Sequence, residues 1–136
     1  MKIFGETFVK NNKNNIELRI NGIESKLIEK YKLKKGDNNI KIIIKNKIKD
    51  LGYMFFGCKS LKNIEELKYL DTKDINNFSG MFLECSSLSD IKALEKWNVS
   101  NGNNFSYMFS RCSSLSDIKA LKNWNLSNKK FLDDMF

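Results

Sequence analysis

The sequence predicts an α/β solenoid, a short array of 27-residue units behind an N-terminal, mostly β segment. Three observations carry that expectation. Met-Phe pairs stand at Met54-Phe55, Met81-Phe82, Met108-Phe109 and Met135-Phe136, one period apart. The same register aligns Cys58, Cys85 and Cys112; Ser60, Ser87 and Ser114; Leu61, Leu88 and Leu115; Ile64, Ile91 and Ile118; Leu67, Leu94 and Leu121; and Leu70, Trp97 and Trp124. Residues 1–50 lack the repeat and alternate apolar with polar side chains instead. The units start near 51, 78 and 105, with a partial one at 132.

A chain of 136 residues fits one compact unit, or a small cap fused to a short array. Its 41% hydrophobic content supports a continuous core and argues against disorder. The formal charge of +8 is uneven: residues 1–50 hold 13 Lys/Arg against 6 Asp/Glu, and residues 51–136 hold 11 against 10. The basic excess is almost all Lys, with Arg only at Arg19 and Arg111, so the forked donor suited to bidentate phosphate recognition is scarce. A solvated Lys-rich surface is the first reading. A nucleic-acid or ribonucleoprotein contact through Lys41, Lys45, Lys47 and Lys49 is the alternative.

Taken in order, Lys2 to Val9 reads as a strand, closed by the Asn-rich loop at 10–15. Segments 16–20 and 23–28 alternate around Asn21-Gly22, the strongest short hairpin signal. After the turn-like 34–39, the β-branched run at 40–45 suits a strand buried on at least one face. These strands are expected to close the first unit as a cap, with the lysines facing water and blunting a sheet edge.

Within a unit, Phe105, Met108, Phe109, Cys112 and Leu115 fall at the spacing of a short helix or pair of helical turns, with Asn103, Asn104 or Ser106 as its cap. Leu115, Ile118, Leu121 and Trp124 follow, and turn formers at 97–102 and 124–128 break any continuous helix. The expectation is a helical turn, a bend, a short strand around Ile64, Ile91 and Ile118, and a return loop.

The Met-Phe, Cys-x-Ser-Leu and Trp-Asn-x-Ser-Asn columns over residues 51–136 resemble the BspA-like leucine-rich repeats of bacterial surface proteins and protist families. The resemblance implies a leucine-rich-repeat solenoid with short parallel strands on one face and helical turns on the other. The first unit departs from the pattern, with Leu70-Asp71-Thr72-Lys73-Asp74 in place of Trp-Asn-x-Ser-Asn.

Chemistry is hard to place on this chain. It has no His to serve as base for a Cys or Ser, and its three Cys share one column rather than a metal-ligand spacing. Free buried thiols, no metal, no cofactor and no enzyme activity are the expectation. The Met column fills space, Trp97 and Trp124 stack, and Asn98/Asn125, Asn101/Asn128, Ser87/Ser114, Asp71 and Asp74 satisfy backbone groups in bends. That leaves Asn63, Glu65, Asp90, Lys92, Asp117 and Lys119, flanking inward isoleucines on the strand face, as candidate partner-binding residues.

The expected function is a non-enzymatic protein–protein interaction module, scaffold or assembly component. Self-assembly into a homo-oligomer through solenoid ends is a further possibility, since Asp133-Asp134-Met135-Phe136 opens a fourth unit. The opening MKIFGETFVKNN lacks the apolar stretch of a secretory signal, and no run nears the roughly 20 apolar residues of a membrane span, so a cytoplasmic location is expected.

Overall fold

The computed structural model describes residues 1–127 and 129–136. Phe4, Phe8 and Asn12 recur every fourth residue and are all buried, which is the spacing of one helix face. Helix α1 accordingly runs Glu6–Asn12, with extended Gly5 at its N-cap and Glu6 in its first turn, where an acid favours the helix dipole. This corrects the strand expected over Lys2–Val9, of which only a single bridge, Lys2 to Lys30, is present. Four-residue spacing of the two phenylalanines outweighs the apparent alternation.

Strands β1 (Ile16–Ile20), β2 (Ile23–Ser25) and β3 (Ile40–Ile44) form an antiparallel sheet in the order β2-β1-β3. Asn21 and Gly22, at φ 51° and 82°, make the left-handed turn that sets Ile20 opposite Ile23, as a two-residue hairpin requires. Ile16 and Leu18 are buried, and Ile20, Ile40 and Ile42 pack half-buried beside them.

The α/β solenoid does not hold as the fold class. Among the described residues, the only sheet is the antiparallel three-stranded one, and the only α-helix is α1. The described residues of 50–136 carry no strand of their own; parallel pairing among them is confined to the single bridges Asp50 to Asn77, Asn77 to Asn104 and Asn104 to Phe131. The strands expected around Ile64, Ile91 and Ile118 are instead short 3-10 helices: η1 (Glu65–Tyr69), η2 (Lys92–Leu94) and η3 (Lys119–Leu121).

Backbone handedness explains the absence of regular elements. Tyr53, Gly57, Gly80, Glu84, Tyr107 and Arg111 all have φ between 57° and 70°. A pair of left-handed residues four apart in each of these units interrupts both an extended strand and a right-handed helix. The N–H groups divide their partners to match. Leu51, Tyr53, Phe55 and Gly57 donate to the carbonyls of Asn77, Ser79, Met81 and Leu83, whereas Met54, Phe56 and Cys58 donate back to Leu51, Tyr53 and Phe55. The same division recurs from Phe78 to Cys85, so the backbone is satisfied without a ladder of either kind.

The core is built of stacked side chains. Phe55, Phe82, Phe109 and Phe136 form a row with neighbouring ring centroids 5.6–5.7 Å apart. Phe4 adds to it, 6.1 Å from Phe55. Gly5 N donates to Met54 O at 2.9 Å, and Asn12 Nδ2 to Asp50 O at 3.2 Å. The helical segment thus covers carbonyls that the first unit turns toward it. Gly5 is required by this approach, because a Cβ there would lie 2.0 Å from Tyr53 O.

Candidate functional site

Each 3-10 helix is opened by the side chain two residues before it. Asn63 Oδ1 accepts from Glu65 N at 2.9 Å, Asp90 Oδ1 from Lys92 N at 2.8 Å, and Asp117 Oδ1 from Lys119 N at 2.9 Å. An Asx side chain at this position satisfies a donor that the short helix leaves without a partner. Half of the expected recognition set therefore has a structural task. The other half, Glu65, Lys92 and Lys119, is exposed on the same side, because η1 neighbours η2 and η2 neighbours η3. The six residues do come together, on a face of 3-10 helices rather than on the strand face expected.

A trough crosses this face. Between η1 and η2 it encloses about 860 Å³, with Ile64, Lys68, Tyr69, Lys92, Ala93 and Glu95 among its walls. A second hollow of about 480 Å³ continues between η2 and η3, past Lys92, Asp117, Lys119 and Ala120. Lys68 Nζ donates to Glu65 Oε1 at 3.0 Å and sits 5.1 Å from the Tyr69 ring centroid; its hydrogen bond with Glu65 raises the Lys68 pKa.

Tyr69 is 73% exposed and was not among the residues expected from sequence. Its signal was present in the alignment of units, where an aromatic stands in the column of Lys96 and Asn123. Asn104, one of the expected caps, belongs to a polar column whose other members, Asp50 and Asn77, were not expected. Asp50 Oδ1 accepts from Gly52 N at 2.7 Å and from Asn77 Nδ2 at 2.9 Å, and the other two accept from Ser79 N and Ser106 N.

The lysines of the basic segment are divided. Lys45 lies 3.7 Å from Glu17, whose pKa is lowered chiefly by its hydrogen bond from Arg19. Lys47 lies 3.2 Å from Asp74. Lys41 and Lys49 are exposed.

The cysteines are free and buried. Cys85 Sγ donates to Phe55 O at 3.1 Å and Cys112 Sγ to Phe82 O at 3.0 Å. Burial pushes Cys58 and Cys112 up to about 11, and Cys85 higher still. Thiols that keep their protons are poor nucleophiles and poor ligands. Trp97 and Trp124 stack at 6.3 Å, and their indole N–H groups donate to Leu67 O and Leu94 O at 2.8 and 3.2 Å.

Most of the expected polar bends are bonded as expected, but the Asp74 carboxylate pairs with Lys47 instead of a backbone group, and among the described residues the Ser87 hydroxyl makes no such bond. Asn98 and Asn125 accept from Ser100 and Ser127, Asn101 Nδ2 donates to Lys73 O, Ser114 Oγ donates to Ser86 O, and Asp71 accepts from Lys73 N. Asn128, the partner of Asn101 in its column, lies outside the described residues. Among the described residues no three His, Cys, Asp or Glu side chains are grouped to hold a metal, and no helix is long and apolar enough to cross a membrane.

Fold and surface together define a small antiparallel sheet joined to stacked turns, with a trough of apolar and charged side chains along one side. A family model described as "Mycoplasma protein of unknown function, DUF285" matches residues 25–136, and the chain belongs to that family. No match was found among the curated proteins or among the solved structures.

Proposed function

We propose that this protein is a non-enzymatic protein–protein interaction module, a scaffold or assembly component of the cytosol, that receives its partner in the trough across η1, η2 and η3. The observation that carries the reading is the separation of tasks on that face. Asn63, Asp90 and Asp117 hold the backbone, and the neighbouring Glu65, Lys92, Lys119 and Tyr69 are left to solvent. An exposed aromatic beside mixed charges suits the anchor of an interface. The columns that resemble BspA-like repeats fit the same reading, since Met81, Phe82, Cys85 and Trp97 are buried in the stack and leave recognition to the residues between them. The test is affinity capture from the source cell with the unaltered chain and with Tyr69→Ala/Lys92→Glu/Lys119→Glu. The triple change should abolish capture of a specific protein.

A second reading, nucleic-acid association through the lysines of residues 1–50, is favoured by the net +7 of that segment (13 minus 6). The pairing of Lys45 and Lys47 with acids weighs against it. Binding of that kind would fall steeply between low and physiological salt and disappear on reversing Lys41 and Lys49, whereas trough binding would survive both.

A further inference from the structure

Strand β3 lies at the edge of the sheet, paired to β1 on one side only. The bonds at its two ends fix which way its backbone groups point. Lys45 N donates to Asn15 O and Asn21 N to Asn39 O, both at 2.8 Å. Antiparallel bonding alternates along a strand, so Lys41 and Ile43 bond to β1 as well, opposite Arg19 and Glu17. Ile40, Ile42 and Ile44 therefore turn their N–H and C=O groups away from β1. Among the described residues, no backbone or side-chain group outside β1 hydrogen-bonds them.

Edges meant to stay unpaired are blunted by proline, a bulge or several charges. β3 has neither of the first two, and of the lysines expected from sequence to blunt the edge only Lys41 lies within it; its other four residues are isoleucines, paired in unbroken register with β1. We propose that this edge is a strand-addition site for an extended, acidic segment of a partner protein, one that alternates acidic with apolar side chains.

The charge and face pattern selects that occupant. Ile40, Ile42 and Ile44 share the inner face with Ile16 and Leu18, so an added strand meets isoleucine there. On the outer face it meets Lys41 and Ile43, and beyond the strand the exposed Lys49 follows with Lys45 and Lys47, which already face Glu17 and Asp74. A second copy of β3 would bring lysines toward lysines, while an acidic strand brings the opposite charge. The sheet already contains the pattern on the other side of β3. β1 alternates Ile16, Glu17 and Leu18, and its outward Glu17 holds Arg19 at 2.9 Å and Lys45 at 3.7 Å. The surface is separate from the trough.

The test uses the full chain at physiological salt and a fluorescent peptide of about ten residues alternating Glu and Val. A scrambled peptide of the same composition and a single-stranded DNA serve as comparators. The alternating peptide is expected to bind at least about tenfold tighter than either. Amide exchange should slow at Ile40, Ile42 and Ile44 while Lys41 and Ile43, already bonded to β1, stay unchanged. Ile44→Pro removes one outward donor and spares the pairing with β1, so it should weaken binding about tenfold while the circular dichroism is kept. If that variant fails to fold, the exchange pattern of the unaltered chain decides. Equal binding of the scrambled peptide or the DNA, unchanged exchange at the three isoleucines, or no binding at all overturns the proposal.

Discussion

In the sheet, β1 pairs residue against residue with β2 after a two-residue turn and with β3 beyond it, from Ile20 opposite Ile40 to Ile16 opposite Ile44; in residues 50–136, Leu51, Tyr53, Phe55 and Gly57 each bond to a carbonyl 26 residues ahead (77 minus 51), and the residues between them bond within their own unit. The first arrangement needs only alternation along each strand, and it tolerates half-buried positions such as Ile20 and Ile42. The second needs every level of the stack filled, because every other N–H has its acceptor on the next level. Phe78, Met81, Phe82 and Cys85 in the middle level are fully buried as a result. Stability in the stacked turns is therefore carried by columns, and in the sheet by pairs.

Deletions in the two regions should differ most. Phe82→Ala removes a ring lying between Phe55 and Phe109 at 5.7 and 5.6 Å and should cost about 3–5 kcal/mol in denaturant unfolding. Ile20→Ala, at a half-buried sheet position, should cost less than half as much. Equal losses would show that the stack is no more demanding than the sheet.

The two regions also use glycine differently. Gly5→Ala drives a Cβ against Tyr53 O and should destabilise by about 2–3 kcal/mol. Gly22→Ala meets nothing within 4 Å but keeps φ 82°, at a cost of about 1–2 kcal/mol for the left-handed backbone alone. A crystal structure or amide shifts of the first variant should show α1 displaced from the first unit.

The buried thiols belong to the stack alone and make its stability depend on pH. Cys58 and Cys112 are raised from 9.0 to about 11 in the folded state. Their contribution is complete below the unfolded value near 9 and is lost as pH rises through about 11. Thermal midpoints should fall over that interval, and Cys58→Ala/Cys112→Ala should fall less steeply. Parallel curves would remove the thiols from the account.

Smallest are the effects on the trough face. Asp117→Ala opens the turn at Lys119 and should cost about 1 kcal/mol, while Lys119→Ala, exposed, should stay within about 0.5 kcal/mol. The pair separates the side chain that holds the backbone from the one left to solvent.

Legibility followed the same division. The hairpin was readable because Asn21-Gly22 states its own torsion angles, and the β-branched run announced β3. Helix α1 was hidden because Phe4 and Phe8 also fit an alternating strand, and Gly5 reveals its purpose only against Tyr53. In the repeats, period and core columns were plain, but the elements were misassigned: Phe105, Met108 and Phe109 have helical spacing without a helix. The left-handed residues that prevent one are Tyr53, Tyr107, Glu84 and Arg111, which carry no glycine signal. Among the candidate site residues, the i-to-i+2 spacing of Asp90 and Lys92 gave their proximity but not their division of tasks. Tyr69 carries no repeat signal, because its column holds Lys96 and Asn123 in the later units.

The most direct measurement of the central claim is capture from the source cell by Tyr69→Ala/Lys92→Glu/Lys119→Glu beside the unaltered chain, with unfolding curves of both. The proposed role predicts matching stability to within about 1 kcal/mol and loss of the captured protein. Capture undiminished by a folded triple variant would contradict it.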